Sequence, residues 1–297
     1  MSWLSFSLLG YFFNAFATLL DKHLLSRRLP NAAIYTFYTG ILSIGVVVLV
    51  PFGFSILPAR TILLAFLAGT AFLVSFYFYY RSLRIWDASR VSPLVGIFSA
   101  IISLLNSQIV MGEHYTSHQL LAFAFLLGAA LVLVFDQERG ISIRWDVLGG
   151  VIIAAFFLST MFALSKLVYR DSPFLSGFIW IRMGSALAAL FLLIPQRMRK
   201  NILYSHAKVK KASMSLVVLN KVIGAVGFVV INYAVSLGSG ALVNVLRSSE
   251  YVCVFLLVLA STALFPGFVH EKISRNSILQ KSFGILLAGI GISFLLI

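Results

Sequence analysis

Residues 59–80 read ARTILLAFLAGTAFLVSFYFYY, with Arg60 as the single charged residue of the stretch. A membrane hydrocarbon core about 30 Å thick needs about 20 mostly apolar residues in a helix, so this stretch predicts a membrane-spanning helix. Ten runs of this kind follow one another along the chain: 3–20, 31–51, 59–80, 88–111, 118–135, 146–168, 175–195, 213–236, 241–264 and 278–297. The sequence therefore predicts an all-α membrane protein with ten transmembrane helices.

The composition of the 297-residue chain supports the same fold class. Hydrophobic residues make up 60% of the chain and charged residues 11%, and the mean hydropathy is +1.00. A soluble domain has about 25% charged residues, so a soluble enzyme, a disordered chain and a soluble nucleic-acid-binding protein are disfavoured. The single cysteine, Cys253, excludes a disulfide within the chain.

The net charge of +14 predicts an orientation rather than a nucleic-acid partner. Alternate loops hold 17 Lys and Arg residues, whereas the loops on the opposite side hold three: Arg60, Lys166 and Arg170. Cytoplasmic loops carry the excess of positive residues, so both termini are predicted to face the outside. We expect an integral, multi-pass protein of a prokaryotic inner (cell) membrane.

The two halves of the chain resemble each other at a spacing of about 150 residues. The fourth and ninth runs each lead into a Glu followed by a hydroxyl residue and a Gln: Glu113, Thr116 and Gln119, then Glu271, Ser274 and Gln280. A unit of five spans ends on the opposite side of the membrane from its start. Residues 1–140 and 141–297 are therefore predicted to be inverted repeats within one membrane domain, an arrangement typical of secondary transporters.

Ten spans, a five-plus-five repeat and this Glu motif resemble the drug/metabolite transporter superfamily, EamA type, over the whole chain. The most specific stretch is Val91-Ser92-Pro93-Leu94 followed by Gly112-Glu113. The resemblance implies metabolite transport without a bound cofactor, and it makes Pro93, Glu113 and Glu271 family-motif residues. Because both Glu residues sit at helix–loop–helix junctions, we expect them to cap the following helix, a structural role favoured over contact with the substrate.

Four ionisable residues stand mid-span, roughly 10–14 Å from the nearer end of their helix: Arg182, Lys221, Arg247 and Glu250. An ionisable group at this depth is costly and is a functional hypothesis by default. The first half has no charged residue at comparable depth. One interpretation is structural: Arg247 and Glu250, at i and i+3, form an ion pair that locks two helices. Snorkelling of the long side chains is another.

The other interpretation is an anion-binding site. An Arg247–Glu250 pair leaves Arg182 and Lys221 without an acidic partner, and a net positive cavity suits a carboxylate or phosphate. Asn220, Tyr79, Trp180 and Asn244 are candidates to complete the substrate site, although interfacial aromatic residues and interhelical Asn bonds are ordinary in helical bundles. Glu250 is also a candidate for proton coupling, if the opposing effects of burial and of the nearby Arg247 on its pKa nearly cancel.

The absence of several motifs limits the chemistry. The chain has no Walker A motif, GxGxxG, CxxC pair or HExxH, so we expect no enzyme activity, cofactor or metal. The favoured function is a secondary transporter that moves a small anionic or zwitterionic metabolite, amino-acid-like or phosphorylated, by alternating access. The alternative is a membrane-embedded enzyme acting on a lipid-linked phosphate. Expected partners are the substrate and the lipid bilayer, with no nucleic acid; a homodimer is left open.

Overall fold

The computed structural model describes residues 2–27, 31–85, 88–134, 145–207, 211–264 and 275–296. Within these ranges the chain is helical and contains no strand. The elements are α1 (Ser2–Arg27), α2 (Ala32–Ile41), a 3-10 segment (Leu42–Phe52), α3 (Ala59–Ile85), α4 (Ala88–Met111), α5 (Ser117–Val134), α6 (Trp145–Arg170), α7 (Phe174–Phe191), α8 (Gln196–Ala207), α9 (Lys211–Leu237), α10 (Gly240–Val245), α11 (Ser248–Leu264) and α12 (Arg275–Phe294).

Eight stretches of the described residues are long and apolar enough to cross a membrane. They are Ser2–Asp21, Ala32–Phe52, Ala59–Ile85, Val91–Ile109, Val147–Arg170, Phe174–Phe191, Met214–Leu237 and Gly240–Leu257. The fifth and tenth predicted spans correspond to shorter apolar helices, Ser117–Val132 and Leu279–Phe294. A helix satisfies its backbone hydrogen bonds internally, as a lipid environment requires. The chain is thus an all-α, multi-pass membrane protein.

Long helices pack side by side in a few close pairs. α1 packs along α9, α3 packs along α6 and α7, and α5 packs along α12. Gly69 explains how near α3 comes to α7: a Cβ at this position would lie 2.3 Å from the carbonyl oxygen of Ile181. The Ser185 hydroxyl of α7 then donates a hydrogen bond of 3.1 Å to the Gly69 carbonyl. Small residues at such contacts let two membrane helices touch through their backbones.

The predicted span 241–264 is not one continuous helix. It breaks at Leu246 and Arg247, between α10 and α11. Around the break, the N–H groups of Arg247, Ser249 and Glu250 each bond to the carbonyl three residues earlier. The hydroxyls of Ser248 and Ser249 also donate to carbonyls three residues earlier. Serine side chains that compete for backbone acceptors in this way disturb the regular α-helical bonding.

Two other predicted spans differ from the structure. The span 31–51 is divided into α2 and the tighter 3-10 segment Leu42–Phe52. The first run, predicted as 3–20, continues as helix to residue 27, which places Asp21 inside a helix rather than after one. Leu24, one turn beyond Asp21, is 1% exposed. The apolar pattern therefore continues past the aspartate and holds the helix in the core.

Candidate functional site

The prediction that Lys221 lacks an acidic partner is wrong. Its Nζ lies 3.1 Å from Oδ1 of Asp21, which is buried in α1. The same ammonium donates to the Tyr80 hydroxyl at 3.1 Å. Oδ1 of Asp21 also accepts hydrogen bonds from the Tyr35 hydroxyl and from the Asn220 amide. These five residues form what we call the Asp21 network. It also overturns the expectation that the first half holds no charge at depth.

Aromatic rings complete the surroundings of Lys221. Its Nζ lies 4.2 Å from the ring centroid of Tyr35 and 5.4 Å from that of Tyr80. An ammonium over an aromatic face is stabilised by the ring quadrupole, more so when water is excluded. Lys221 is therefore compensated by a carboxylate and by aromatic faces. Asn220 bonds to Asp21 through its amide nitrogen, and its Oδ1 has no hydrogen-bond partner within the described residues.

Arg182 lies in a different setting, on α7. Its Cζ lies 4.7 Å from the ring centroid of Phe72 and 4.8 Å from that of Phe228, so the guanidinium is held between two phenyl rings. Nη2 donates to the Ser43 hydroxyl of the 3-10 segment. Nη1 is buried and has no hydrogen-bond partner in the part of the chain that the structure describes. Arg182 forms no ion pair with a described carboxylate.

The predicted ion pair between Arg247 and Glu250 is also wrong. Within the described ranges, no nitrogen of Arg247 lies within 4.0 Å of a Glu250 oxygen. Arg247 stands at the helix break, and its Cζ lies 5.6 Å from the Tyr11 ring centroid. Glu250 begins the next helix, where Oε1 accepts a hydrogen bond of 2.7 Å from Thr18. Arg247 Nε and Glu250 Oε2 are buried without described partners.

A row of aromatic rings in contact with one another connects Arg182 to the Asp21 network. Phe228 contacts Phe72 at 4.9 Å between ring centroids, Phe72 contacts Phe76 at 4.5 Å, and Phe76 contacts Tyr80 at 5.3 Å. This row of rings begins at Arg182, which lies over Phe72 and Phe228, and ends at Tyr80 of the Asp21 network. The ring of Tyr79 lies next to that of Tyr80, at 5.5 Å between ring centroids.

The charges at depth are therefore more balanced than the sequence predicted. The set contains three cations, Arg182, Lys221 and Arg247, and two carboxylates, Asp21 and Glu250. The excess is one positive charge when all five are ionised, instead of two. Arg182 and Arg247 are the cations that lack a carboxylate within ion-pair distance among the described residues.

The remaining predicted site residues have visible structural contacts. The Tyr79 hydroxyl donates to Ser92 at 3.1 Å. Asn244 is fully buried and donates to two serines of α4, at 2.8 Å and 3.3 Å. Trp180 donates to the Ser55 carbonyl at 3.4 Å, at the end of the bundle where the 3-10 segment finishes. Asn244 therefore serves as an interhelical hydrogen-bond donor.

The α4 stretch around Pro93 admits a close neighbour. Pro93 lies inside α4, where it has no N–H to donate. At Gly96, a Cβ would lie 2.0 Å from the hydroxyl oxygen of Tyr251. That hydroxyl donates to the Ser92 carbonyl at 2.9 Å. The family-motif stretch thus brings α11, just after the helix break, against α4.

Glu113 does not cap α5 as predicted. The cap is made by Thr116 and Gln119: the Gln119 N–H donates to the threonine hydroxyl, and the Gln119 side chain accepts from the Thr116 N–H. This reciprocal pattern is a capping box. Oε2 of Glu113 instead accepts 2.6 Å hydrogen bonds from Tyr115 and from Ser239, the N-cap residue of α10. The second motif residue, Glu271, lies outside the described residues.

The Glu113 contacts connect the two halves at one end of the bundle. Burial, and next the hydrogen bond to Glu113, raise the pKa of Tyr115 to about 12. Lys166, at the end of α6, donates to three carbonyls at the end of α9, those of Val235, Ser236 and Gly238. A cation at a helix C-terminus compensates the exposed carbonyls and the helix dipole. The junction between α9 and α10 is therefore held by Glu113, through Ser239, and by Lys166, through the carbonyls at the end of α9.

Sequence reasoning missed the first-half members of the site: Thr18, Asp21, Tyr35 and Ser43. Asp21 carried a signal, since Leu24 and Leu25 follow it and continue the apolar pattern. Ser43 ends a series of hydroxyl residues on one helical face, after Thr36 and Thr39. No spacing rule connects these residues to partners that lie more than 130 positions later in the chain.

Comparison with known proteins informs the fold alone. No protein-family model matches the chain, and no curated protein matches it. Twenty-eight chains of solved structures match. One of them, described as "Crystal structure of protein", superimposes with a TM-score of 0.65 at 15% sequence identity, over 97% of this chain and 94% of that chain. The arrangement of helices is thus shared with a solved structure over nearly its full length.

Proposed function

We propose that this protein is a secondary transporter, of the EamA type within the drug/metabolite transporter superfamily. It moves a small anionic or zwitterionic metabolite across a prokaryotic cell membrane by alternating access. No bond of the cargo is made or broken, so the protein is not an enzyme in this proposal. The cargo is amino-acid-like or phosphorylated.

One observation carries the proposal: three buried polar atoms without described hydrogen-bond partners belong to the mid-span charged residues. They are Arg182 Nη1, Arg247 Nε and Glu250 Oε2. An unsatisfied buried donor or acceptor costs about 1–3 kcal/mol, and more for a charged group. A fold that keeps three such atoms in one membrane bundle gains when a polar ligand supplies the missing partners. A passive scaffold has no need for them.

The helix break supports the position of this site. Transporter sites form near the bilayer midplane at discontinuous helices, whose freed backbone groups and irregular geometry receive polar ligands. Arg247 stands in such a break, between α10 and α11. Glu250 lies in the first turn of the following helix. A guanidinium and a carboxyl group thus stand at one interruption in an otherwise uncharged span.

The charge pattern supports an anionic or zwitterionic cargo. Arg182 and Arg247 offer fork-shaped donors that suit a carboxylate or a phosphate. Glu250 offers a carboxylate oxygen that suits an ammonium group or a proton. We now assign Lys221 a supporting role, because Asp21 already compensates its charge. The row of aromatic rings between Arg182 and the Asp21 network offers apolar walls of the kind that small-molecule sites use.

Helix pairing supports two inverted repeats, residues 1–140 and 141–297. Under the repeat, α1 corresponds to α6 and α3 corresponds to α9. The close pairs α1–α9 and α3–α6 then exchange with each other, and α5–α12 pairs each repeat's last helix with its counterpart. In this proposal the charged groups lie between the two units, and rocking of one unit against the other exposes the site to alternate sides.

The same geometry supports Glu250 as the candidate for proton coupling. Oε1 is held by Thr18, while Oε2 is unsatisfied and no cation forms an ion pair with the group among the described residues. A carboxyl group without an ion pair in an apolar setting is able to exchange a proton between the two orientations of the carrier.

Ligand-induced stabilisation of the purified protein tests the proposed site. A ligand at 100 times its Kd raises the free energy of unfolding by about 2.7 kcal/mol. We expect raised melting temperatures with amino acids, carboxylates or sugar phosphates, and loss of the shift in Arg182→Gln. The matched control is Arg60→Gln, which removes an exposed arginine at the opposite end of α3 from Tyr80. No shift with any of these compounds would count against the proposal.

A further inference from the structure

Most of the connector between α7 and α9 is the helix α8, Gln196–Ala207. Residues 196–211 contain six Lys and Arg residues and no Asp or Glu: Arg197, Arg199, Lys200, Lys208, Lys210 and Lys211. α8 begins shortly after the apolar span that ends at Phe191 and precedes the one that begins at Met214. It therefore lies at the level where the membrane meets water.

α8 has a buried face and an exposed face, and the exposed face combines two cations with a leucine. Arg199, Lys200 and Leu203 are exposed, and Leu203 stands one turn after both basic residues, at i+4 and i+3. Leu203 is 58% exposed, whereas Ile202 on the other face is 2% exposed. The outer face thus presents an apolar side chain flanked by two positive charges.

The inner face ties α8 to the candidate site. Ile202 belongs to the core cluster that also contains Leu24, Val217, Tyr35 and Tyr80. The two tyrosines are members of the Asp21 network, where they contact Lys221. The position of α8 on the bundle is therefore fixed by the same packed residues that surround the buried Asp21–Lys221 pair.

We propose that the outer face of α8 is a binding site for the headgroups of anionic phospholipids. An interfacial helix binds a membrane when apolar side chains enter the acyl boundary and cations meet anionic headgroups. Leu203 supplies the apolar contact, and Arg199 and Lys200 supply the cations. A segment with six basic residues and no acidic residue matches a negatively charged surface and disfavours a basic or neutral partner. The inference does not depend on the transport function.

Binding of phosphatidylglycerol to the purified full-length protein tests the inference, with phosphatidylcholine of the same acyl chains as the neutral comparison. Mass spectrometry of intact protein–lipid complexes gives both affinities. Each Lys or Arg near an anionic surface strengthens binding about fivefold. The double variant Arg199→Gln/Lys200→Gln is expected to bind phosphatidylglycerol about 30-fold more weakly, with little change for phosphatidylcholine.

The control removes the same number of charges elsewhere. Arg60→Gln/Arg170→Gln alters two exposed arginines at the other end of the bundle, and we expect its affinity for phosphatidylglycerol to stay within about twofold of the wild type. An equal loss in both double variants would overturn the proposal, since it would reflect overall charge. No loss in the α8 variant would overturn it as well.

Two further measurements separate a lipid site from other anion sites. Competition by inorganic phosphate at millimolar concentration would point to a free-anion site and contradict the proposal. Wild-type affinity for phosphatidylglycerol is expected to fall as salt rises, because screening weakens surface charge interactions. Salt-independent binding would contradict it without reference to any variant. Leu203→Ser is expected to weaken phosphatidylglycerol binding while leaving the salt dependence in place.

Discussion

Replacing Asp21 by Asn and Lys221 by Met, singly and together, measures the interaction between the two buried charges. In Lys221→Met, the Asp21 carboxylate keeps two donors, the Tyr35 hydroxyl and the Asn220 amide. In Asp21→Asn, the ammonium keeps one hydroxyl and two aromatic faces. Because both side chains are mostly buried, at 13% and 15% exposure, removing one partner leaves an uncompensated charge away from water.

The expected magnitudes follow from that burial. Breaking a buried ion pair by removing one partner costs about 3–5 kcal/mol. We expect the lower end, about 3 kcal/mol, for Lys221→Met, because the carboxylate retains two donors, and a larger loss for Asp21→Asn. In the double variant both charges are gone, and the amide oxygen that replaces the carboxylate still accepts from Tyr35. Its loss is expected to be smaller than that of either single variant, so the coupling energy is at least about 3 kcal/mol.

Reversible unfolding of the purified protein in mixed micelles, followed by far-ultraviolet circular dichroism, gives the four free energies of the cycle. Wild type and the three variants are measured at one pH and one salt concentration. Losses that add to within about 0.5 kcal/mol in the double variant would refute the reasoning. Additivity would mean that the two charges do not interact, and Lys221 would return to the set of cations available for a substrate.

Three further predictions concern packing, coupling and pH. Gly69→Ala is expected to lower the free energy of unfolding by about 1–3 kcal/mol, because its Cβ would lie 2.3 Å from a backbone oxygen of α7. The control is Gly128→Ala, whose Cβ would have nothing within 4 Å, and thermal unfolding should show no loss of stability for it. Glu250→Gln is expected to abolish uptake driven by a proton gradient and to spare exchange; equal loss of both would argue against coupling. Because the pKa of Tyr115 is raised from 10.0 to about 12, its contribution to stability is fully present below pH 10 and is lost as the pH rises through about 12. Tyr115→Phe should remove that part of the alkaline decline, and an unchanged decline would contradict the assignment.

The sequence predicted the fold class well because membrane spans are determined by local composition. Any run of about 20 apolar residues must satisfy its own backbone hydrogen bonds in lipid, and only a helix does so within one segment. Interruptions were harder to foresee. Ser248 and Ser249 redirect backbone bonding beside Arg247, and single serines are common in continuous membrane helices.

The charged site was half predictable for a related reason. Position along an apolar run is readable from the chain, so Arg182, Lys221, Arg247 and Glu250 were recognised as mid-span residues. Partners are not readable in this way, because they depend on which helices lie side by side. Asp21 reaches Lys221 only because α1 packs along α9. The i, i+3 spacing of Arg247 and Glu250 suggested a pair, and the helix break between α10 and α11 separates them.

Uptake into proteoliposomes tests the central claim most directly. Purified wild-type protein, Arg182→Gln and the exposed control Arg60→Gln are reconstituted and supplied with labelled amino acids, carboxylates and sugar phosphates. We predict saturable uptake of at least one anionic or zwitterionic compound by wild type and by the control. A charge-assisted hydrogen bond contributes about 1.5–3 kcal/mol, so Arg182→Gln should weaken that uptake about 10- to 100-fold. Uptake of none of these compounds, or equal uptake by all three proteins, would contradict a transporter whose buried arginine holds its cargo.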